Sequence, residues 1–260
     1  MSRNAQRFQK SKGSGETNNR RNPPPKFAGQ EPNEVVHPKT ENQAKALRYM
    51  EDKKALILLT GSAGTGKSYL AAYYASKLLK GKYIDKVYLV RPYVTTGKTV
   101  GLLPGTIRDK LAPSLAPILS HFEKFLGKAM LEEEQDGKWK HIEIQALEFI
   151  RGNSFENCVV ICEELQNATP EEIKALVTRI GESCQVIVTA DPAQHDLKGQ
   201  SGITYLLDLV KRVRWERPGF LNDDEIDQFN KNIGVVEFTQ NDIVRSGLVR
   251  SFVKCFNEGY

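Results

Sequence analysis

Apolar residues recur along the chain in short unbroken runs, and the runs alternate with longer stretches of helical spacing. The runs are ALILLT (55–60), KVYLVRP (86–92), ENCVVICEE (156–164), CQVIVTADP (184–192) and GVVEFT (234–239), each read as a strand. SYLAAYYASKLLKG (68–81) has the spacing of a helix and closes on Gly81, a stop signal. A proline-interrupted helical stretch follows from about residue 104 to 127. TPEEIKALVTRIG (169–181) predicts a helix with Thr169 as N-cap, Pro170 in the first turn and carboxylates early. Strands that are nearly all apolar must be covered on both faces, which predicts a mainly parallel sheet between helices. The β and α alternation therefore makes a three-layer α/β domain. LEEEQDGKWKH (131–141) reads as a polar excursion, and RPGFLNDDEIDQFNKN (217–232) as an insertion before the last strand.

Composition adds a boundary. The chain has 260 residues, 40% hydrophobic and 27% charged, as in ordinary soluble proteins. Its net charge of +5 is unevenly placed: residues 1–30 carry seven cations against Glu16 alone, a net +6, so the remaining residues sum to −1. That polar stretch cannot bury enough apolar surface to order itself, so residues 1–33 are expected to be a disordered basic tail preceding a domain at 34–260. A basic arm of this kind can touch nucleic acid or merely solubilise. No run approaches the roughly 18 apolar residues of a membrane span, and the first residues lack a secretory h-region. Cys158, Cys162, Cys184 and Cys255 are too scattered for a disulfide framework, and Cys158 and Cys162 read as small apolar residues of a buried strand. A cytoplasmic location and no membrane contact are expected.

The chemistry lies between the first strand and the first helix. GSAGTGKS (61–68) matches G-x-x-x-x-G-K-[ST] at every fixed position, with a strand entering and a helix leaving. Gly61, Gly64 and Gly66 let the backbone turn around an anion, so that successive N–H groups can face phosphate oxygens, and the helix adds the positive end of its dipole. The expected nucleotide-binding set is Gly61, Ser62, Ala63, Gly64, Thr65, Gly66, Lys67, Ser68 and the adjoining Tyr69. Lys67 would reach the β- and γ-phosphates and Ser68 would ligate Mg²⁺. Hydrolysis needs further carboxylates, which CVVIC-Glu163-Glu164 supplies at the end of a strand expected to lie against the loop strand. Glu163 would contact Mg²⁺ and Glu164 would polarise the attacking water. On VIVTADPAQ (186–194), Asp191 and Gln194 emerge where a polar group can sense the γ-phosphate; a simple Asp-Pro turn is the other reading.

Together the glycine loop, EELQN (163–167), TRIG (178–181) and TADPAQ (189–194) resemble the PhoH family of P-loop ATPases, which is similar to the ATPase core of superfamily 1 helicases. The resemblance runs through VRPYVTTGKTVGLLPGTIRDKLAPSLAPI (90–118), IRGNSFENCVVI (150–161), SGITYLLDLV (201–210) and NDIVRSGLVRSFV (241–253), and covers about residues 36–255. It implies a RecA-like P-loop fold, ATP and Mg²⁺ as ligands, ATP hydrolysis, and RNA or single-stranded DNA as the polymer. By resemblance, Gln43 in HPKTENQ reads adenine through its amide, and Gln194 senses the γ-phosphate. Arg91, with Lys98 nearby, lies in the segment that helicase relatives use near nucleic acid, with Tyr93 a candidate stacking group. Arg245 in DIVRSG suits an arginine finger, reaching a neighbouring subunit, or else makes a surface ion pair. The family usually places Asp-Glu-Ala-Gln where this chain has Glu163-Glu164-Leu165-Gln166. The longer Glu163 must shift its metal contact or make it direct, which leaves a nucleotide-gated scaffold with little turnover as the alternative to an active ATPase. The chain shows no second RecA-like half, so a homo-oligomer is expected, a hexameric ring among the possible forms.

Overall fold

A computed structural model describes residues 32–93, 107–131, 141–152, 154–194, 199–245, 247–248, 251–252 and 255. Residues 1–31 of the expected tail, the segment carrying Lys98 and most of the expected polar excursion lie outside the described residues. Each apolar run becomes a strand: β1 (Leu56–Gly61), β2 (Lys86–Arg91), β4 (Cys158–Cys162), β5 (Gln185–Ala190) and β6 (Ile233–Phe238), with β3 (Ile142–Ala146) between β2 and β4 in the chain. The helices are α1 (Glu41–Glu51), α2 (Lys67–Lys80), α3 (Ile107–Leu126), α4 (Lys128–Leu131), α5 (Pro170–Val177), α6 (Gly202–Glu216) and α7 (Asp223–Asn232). One six-stranded sheet has the order β3-β2-β4-β5-β1-β6, and every pairing is parallel.

The strand period of two divides the core into two layers. Ile57 and Leu59 of β1, Val159 and Ile161 of β4 and Ile187 of β5 pack with α1, α2 and α3. Leu58, Val160, Val186 and Val188 face the other way, onto α5 and α6. Local signals terminate the helices as expected on α5, where Thr169 and Glu172 form a reciprocal capping box and Pro170 opens the helix. Asn222 and Glu225 form another on α7, which fills the expected insertion. Helix α2 ends at Lys80, but the left-handed residue is Lys82 rather than Gly81.

Two expectations need correction. The carboxylate strand β4 does not lie against β1: β5 separates them, paired to both. The crossover from β1 through α2 to β2 skips two positions in the sheet, which β4 and β5 later fill. Strand β3 was not anticipated, and it is the edge strand beside β2. Its IEIQA alternates buried and half-exposed residues, as a strand with one wet face should. Lys86 of β2 and Glu143 of β3 pair across it at 2.9 Å.

A candidate nucleotide site at the carboxyl edge

The parallel register brings every strand end to one edge. Thr60 of β1 aligns with Ala190 of β5, and Val188 of β5 with Cys162 of β4. The glycine loop therefore leaves the sheet beside Asp191 and within reach of Glu163, although β4 is not its neighbour. A cavity of about 230 Å³ opens there, lined by Ala63, Gly64, Gly66, Lys67, Ser68 and Tyr69 from the loop and α2, by Glu164, Gln166, Asp191 and Gln194 from the ends of β4 and β5, by Pro117 and His121 of α3, and by Arg245.

The loop conformation depends on glycine where the chain leaves β1. Gly61 has φ +124°, and a Cβ there would stand 2.1 Å from the carbonyl oxygen of Phe238, so no larger residue fits. Thr65 Oγ1 donates to the Ser62 carbonyl at 3.0 Å, and Lys67 Nζ donates to the carbonyls of Ser62, at 2.8 Å, and of Gly61. Burial lowers the Lys67 pKa, opposed by the charges of Asp191, Glu163 and Glu164. Gln43, expected from resemblance to read adenine, packs behind the loop. It is buried on α1 and does not line the cavity. Its Nε2 donates to the Thr65 carbonyl at 2.9 Å and its Oε1 accepts the Lys39 N–H at 2.8 Å, so the carboxamide props the loop from behind.

Ser68 Oγ donates to Glu163 Oε2 at 2.9 Å, which joins the loop to the end of β4. Glu163 is buried, and its other oxygen, Oε1, has no hydrogen-bond partner. Burial pushes the Glu163 pKa up, against the hydrogen bond from Ser68 and the charge of Arg91. An orphaned carboxylate oxygen beside a serine hydroxyl at the mouth of a phosphate loop fits Mg²⁺, which takes one or two protein oxygens and completes its shell with phosphates and water. Among the described residues no group of three or more His, Cys, Asp or Glu side chains is placed to hold a metal ion.

Glu164 follows in the left-handed region at φ 57°, a strained position for a residue with a Cβ, and it lines the cavity. Gln166, to which the sequence assigned no role, holds it. Gln166 Nε2 donates to Glu164 Oε2 at 2.6 Å, while Gln166 Oε1 accepts the Asp191 N–H at 3.1 Å. The Ser201 hydroxyl donates to the Gln166 carbonyl at 2.8 Å. The Glu164 carboxylate and the end of β5 are thereby tied through one buried amide. Asp191 itself makes the turn that was its alternative reading, since its Oδ1 accepts the Ala193 N–H at 3.2 Å, and Gln194 still reaches the cavity wall.

Other expected residues fall outside the cavity. Arg91 at the end of β2 donates to the Ser114 carbonyl of α3 at 3.1 Å. Tyr93 is partly buried against the α2–α3 core, and its N–H donates to Glu148 Oε1 at 2.8 Å. Pro117 and His121 were invisible in the sequence, because helical periodicity alone does not say which turn of α3 faces the loop. His121 is held below the usual histidine range by burial and by the Lys124 charge, so it is neutral at pH 7. No helix among the described residues is long and apolar enough to cross a membrane.

A family model described as "PhoH-like protein" matches residues 35–257. A PhoH-like protein of Mycobacterium leprae is 32% identical over 228 residues, covering 86% of this chain and 59% of the relative. A PhoH-like protein of Bacillus subtilis is 32% identical over 225 residues, with coverages of 86% and 64%. Protein PhoH of Escherichia coli is 32% identical over 219 residues, with coverages of 84% and 57%. The chain thus spans only 57% to 64% of the length of these curated relatives. Among solved structures, the Pif1 helicase of Candida albicans aligns over 74% of this chain and 46% of its own, at 14% identity and a TM-score of 0.29, too loose a likeness to carry an argument.

Proposed function

The chain belongs to the PhoH-like family, and from that premise we propose that this nucleotide-binding P-loop protein hydrolyses ATP and couples turnover to RNA or single-stranded DNA. The observation that carries the hydrolytic part is the joining of the loop to two carboxylates: Ser68 bonded to Glu163, and Glu164 held toward the same cavity by Gln166. Loop N–H groups and Lys67 hold the phosphates, which requires Lys67 to exchange the carbonyls of Gly61 and Ser62 for phosphate oxygens. Ser68 and Glu163 would hold Mg²⁺, which would supply positive charge to offset that of the phosphates. Glu164 accepts a proton from the water that attacks the γ-phosphorus, as the bond to the β–γ bridging oxygen breaks and ADP departs with the electron pair. Gln194, on the far side of the Asp191 turn, reports the presence of the γ-phosphate to the segment that follows β5.

The polymer enters from family membership and from charge. The net +6 of residues 1–30 suits a phosphate backbone, and such contacts weaken as salt rises. Steady-state phosphate release, titrated with RNA and with single-stranded DNA, tests the reading, together with a mass measurement in ATP for the expected homo-oligomer. Mg²⁺-dependent release that rises with one polymer supports it; release indifferent to both removes the motor.

A second reading is a nucleotide-gated scaffold that binds ATP with little turnover. It is favoured by the direct contact between Ser68 and the longer Glu163. Under that reading Glu163→Asp raises turnover strongly, whereas an ATPase tuned to glutamate loses activity.

A further inference from the structure

Past β6 the chain makes a short helical turn, Gln240–Asp242, and then crosses the phosphate loop. The turn is fixed on both sides. Thr239 and Asp242 form a reciprocal cap, and Asn42 of α1 donates to Asp242 Oδ2 at 2.8 Å. Ile243 is fully buried. The Val244 N–H then donates to the Gly64 carbonyl at 3.2 Å, so the strap is bonded to the loop itself. The Arg245 side chain lies along Gly64: a Cβ at Gly64 would stand 2.8 Å from Arg245 Nε and 3.1 Å from its Cδ. Gly64 has φ +82°, a backbone conformation that disfavours a side chain there.

Arg245 is therefore delivered to the loop by its own chain. It is exposed, it lines the cavity, and it makes no ion pair among the described residues, although Glu164 and Asp191 line the same cavity. An arginine left unpaired beside two carboxylates, on a strap anchored at Asp242 and Val244, is placed for an anion brought from outside. Lys67 and Arg245 are the one lysine and the one arginine among the described lining residues. Lys67 reaches the cavity from the first turn of α2, and Arg245 reaches it over Gly64.

We propose that Arg245 contacts the terminal phosphates of a nucleotide held in the same subunit, so that the site is complete within one copy of the chain. This rests on the reading of the loop as a triphosphate site, and it replaces the neighbour-supplied arginine expected from resemblance. As the β–γ bond breaks, negative charge gathers on the bridging oxygen and the departing phosphate, and the guanidinium stabilises it without itself being altered. Any assembly of the chain then adjusts the site from outside rather than finishing it.

The test begins with wild-type binding. A wild-type chain that binds no ATP sinks the site reading itself, before Arg245 is in question. Given binding, Arg245→Ala should weaken ATP about 10-fold while leaving ADP within about two-fold, and should lower turnover about 10³-fold. Arg245→Lys should recover part of the ATP preference, and melting curves confirm that both variants fold. Mixing Arg245→Ala with Lys67→Ala subunits should restore nothing, because neither chain holds both groups. Activity restored by mixing, or an Arg245→Ala chain that binds ATP and ADP like wild type, overturns the inference. If wild type binds ATP without hydrolysing it, the ATP-against-ADP comparison decides when made at a dilution where the chain is monomeric: an ATP preference that depends on Arg245 there supports the inference, and its absence overturns it.

Discussion

Glu163 pays for its position. One of its oxygens accepts from Ser68 while the other is buried without a partner, and burial holds its pKa up. A buried carboxyl group with one oxygen lacking a partner destabilises the nucleotide-free protein, a common compromise at sites built to receive a cation. Glu163→Gln should raise the unfolding free energy of the nucleotide-free chain by about 1 kcal/mol, read in thermal melts, and remove the Mg²⁺-dependent part of ATP affinity. Gln166 acts at one remove, through Glu164 and Asp191. Gln166→Ala should leave ATP affinity within about two-fold and lower turnover about 10- to 100-fold, because a misplaced base loses orientation rather than binding. Loss of affinity in step with turnover would show instead that Gln166 only holds the fold. The loop and both carboxylates were legible in the sequence because each is a run of neighbours. Gln166 was not, since its role depends on a backbone N–H from β5 that no spacing reveals.

At the scale of elements, the loop is held from two sides. Helix α1 props it through Gln43 and Thr65, and the strap after β6 closes on it through Val244 and Gly64. Asn42 and Asp242 join these two supports. Burial works against the Asp242 charge, but hydrogen bonds from Thr40, Asn42 and Thr239 outweigh it and hold the pKa below the ordinary 3.8. A carboxyl lowered on folding contributes stability that is complete above its ordinary value and disappears as the pH falls through the folded one. Asp242→Asn should therefore melt below wild type at neutral pH, and the gap should close on acidification past 3.8. A gap that stays constant with pH would mean the charge contributes nothing. Periodicity disclosed the apolar strands and α5, whose caps are local. It missed β3, an edge strand with only two strongly apolar residues, Ile142 and Ile144. It also misjudged the place of β4, because sheet order is set by crossovers and not by any segment's own composition.

Across the whole molecule, the parallel register gathers the loop, the ends of β4 and β5 and the strap at one edge, and two apolar layers hold them there. Family membership and fold class agree with the alternation of strand and helix along the chain. The Gln43 amide, expected from resemblance to read adenine, is bonded to the loop and to Lys39. All the chemistry assigned here presupposes that the edge cavity grips a triphosphate through Lys67. Calorimetric titration of ATP with Mg²⁺ into wild-type and Lys67→Ala protein tests that directly. Affinity should fall about 100-fold or more in the variant, with its melting temperature in the absence of nucleotide kept, as expected for removing a charged contact to phosphate. Equal affinity in the two proteins would contradict the account.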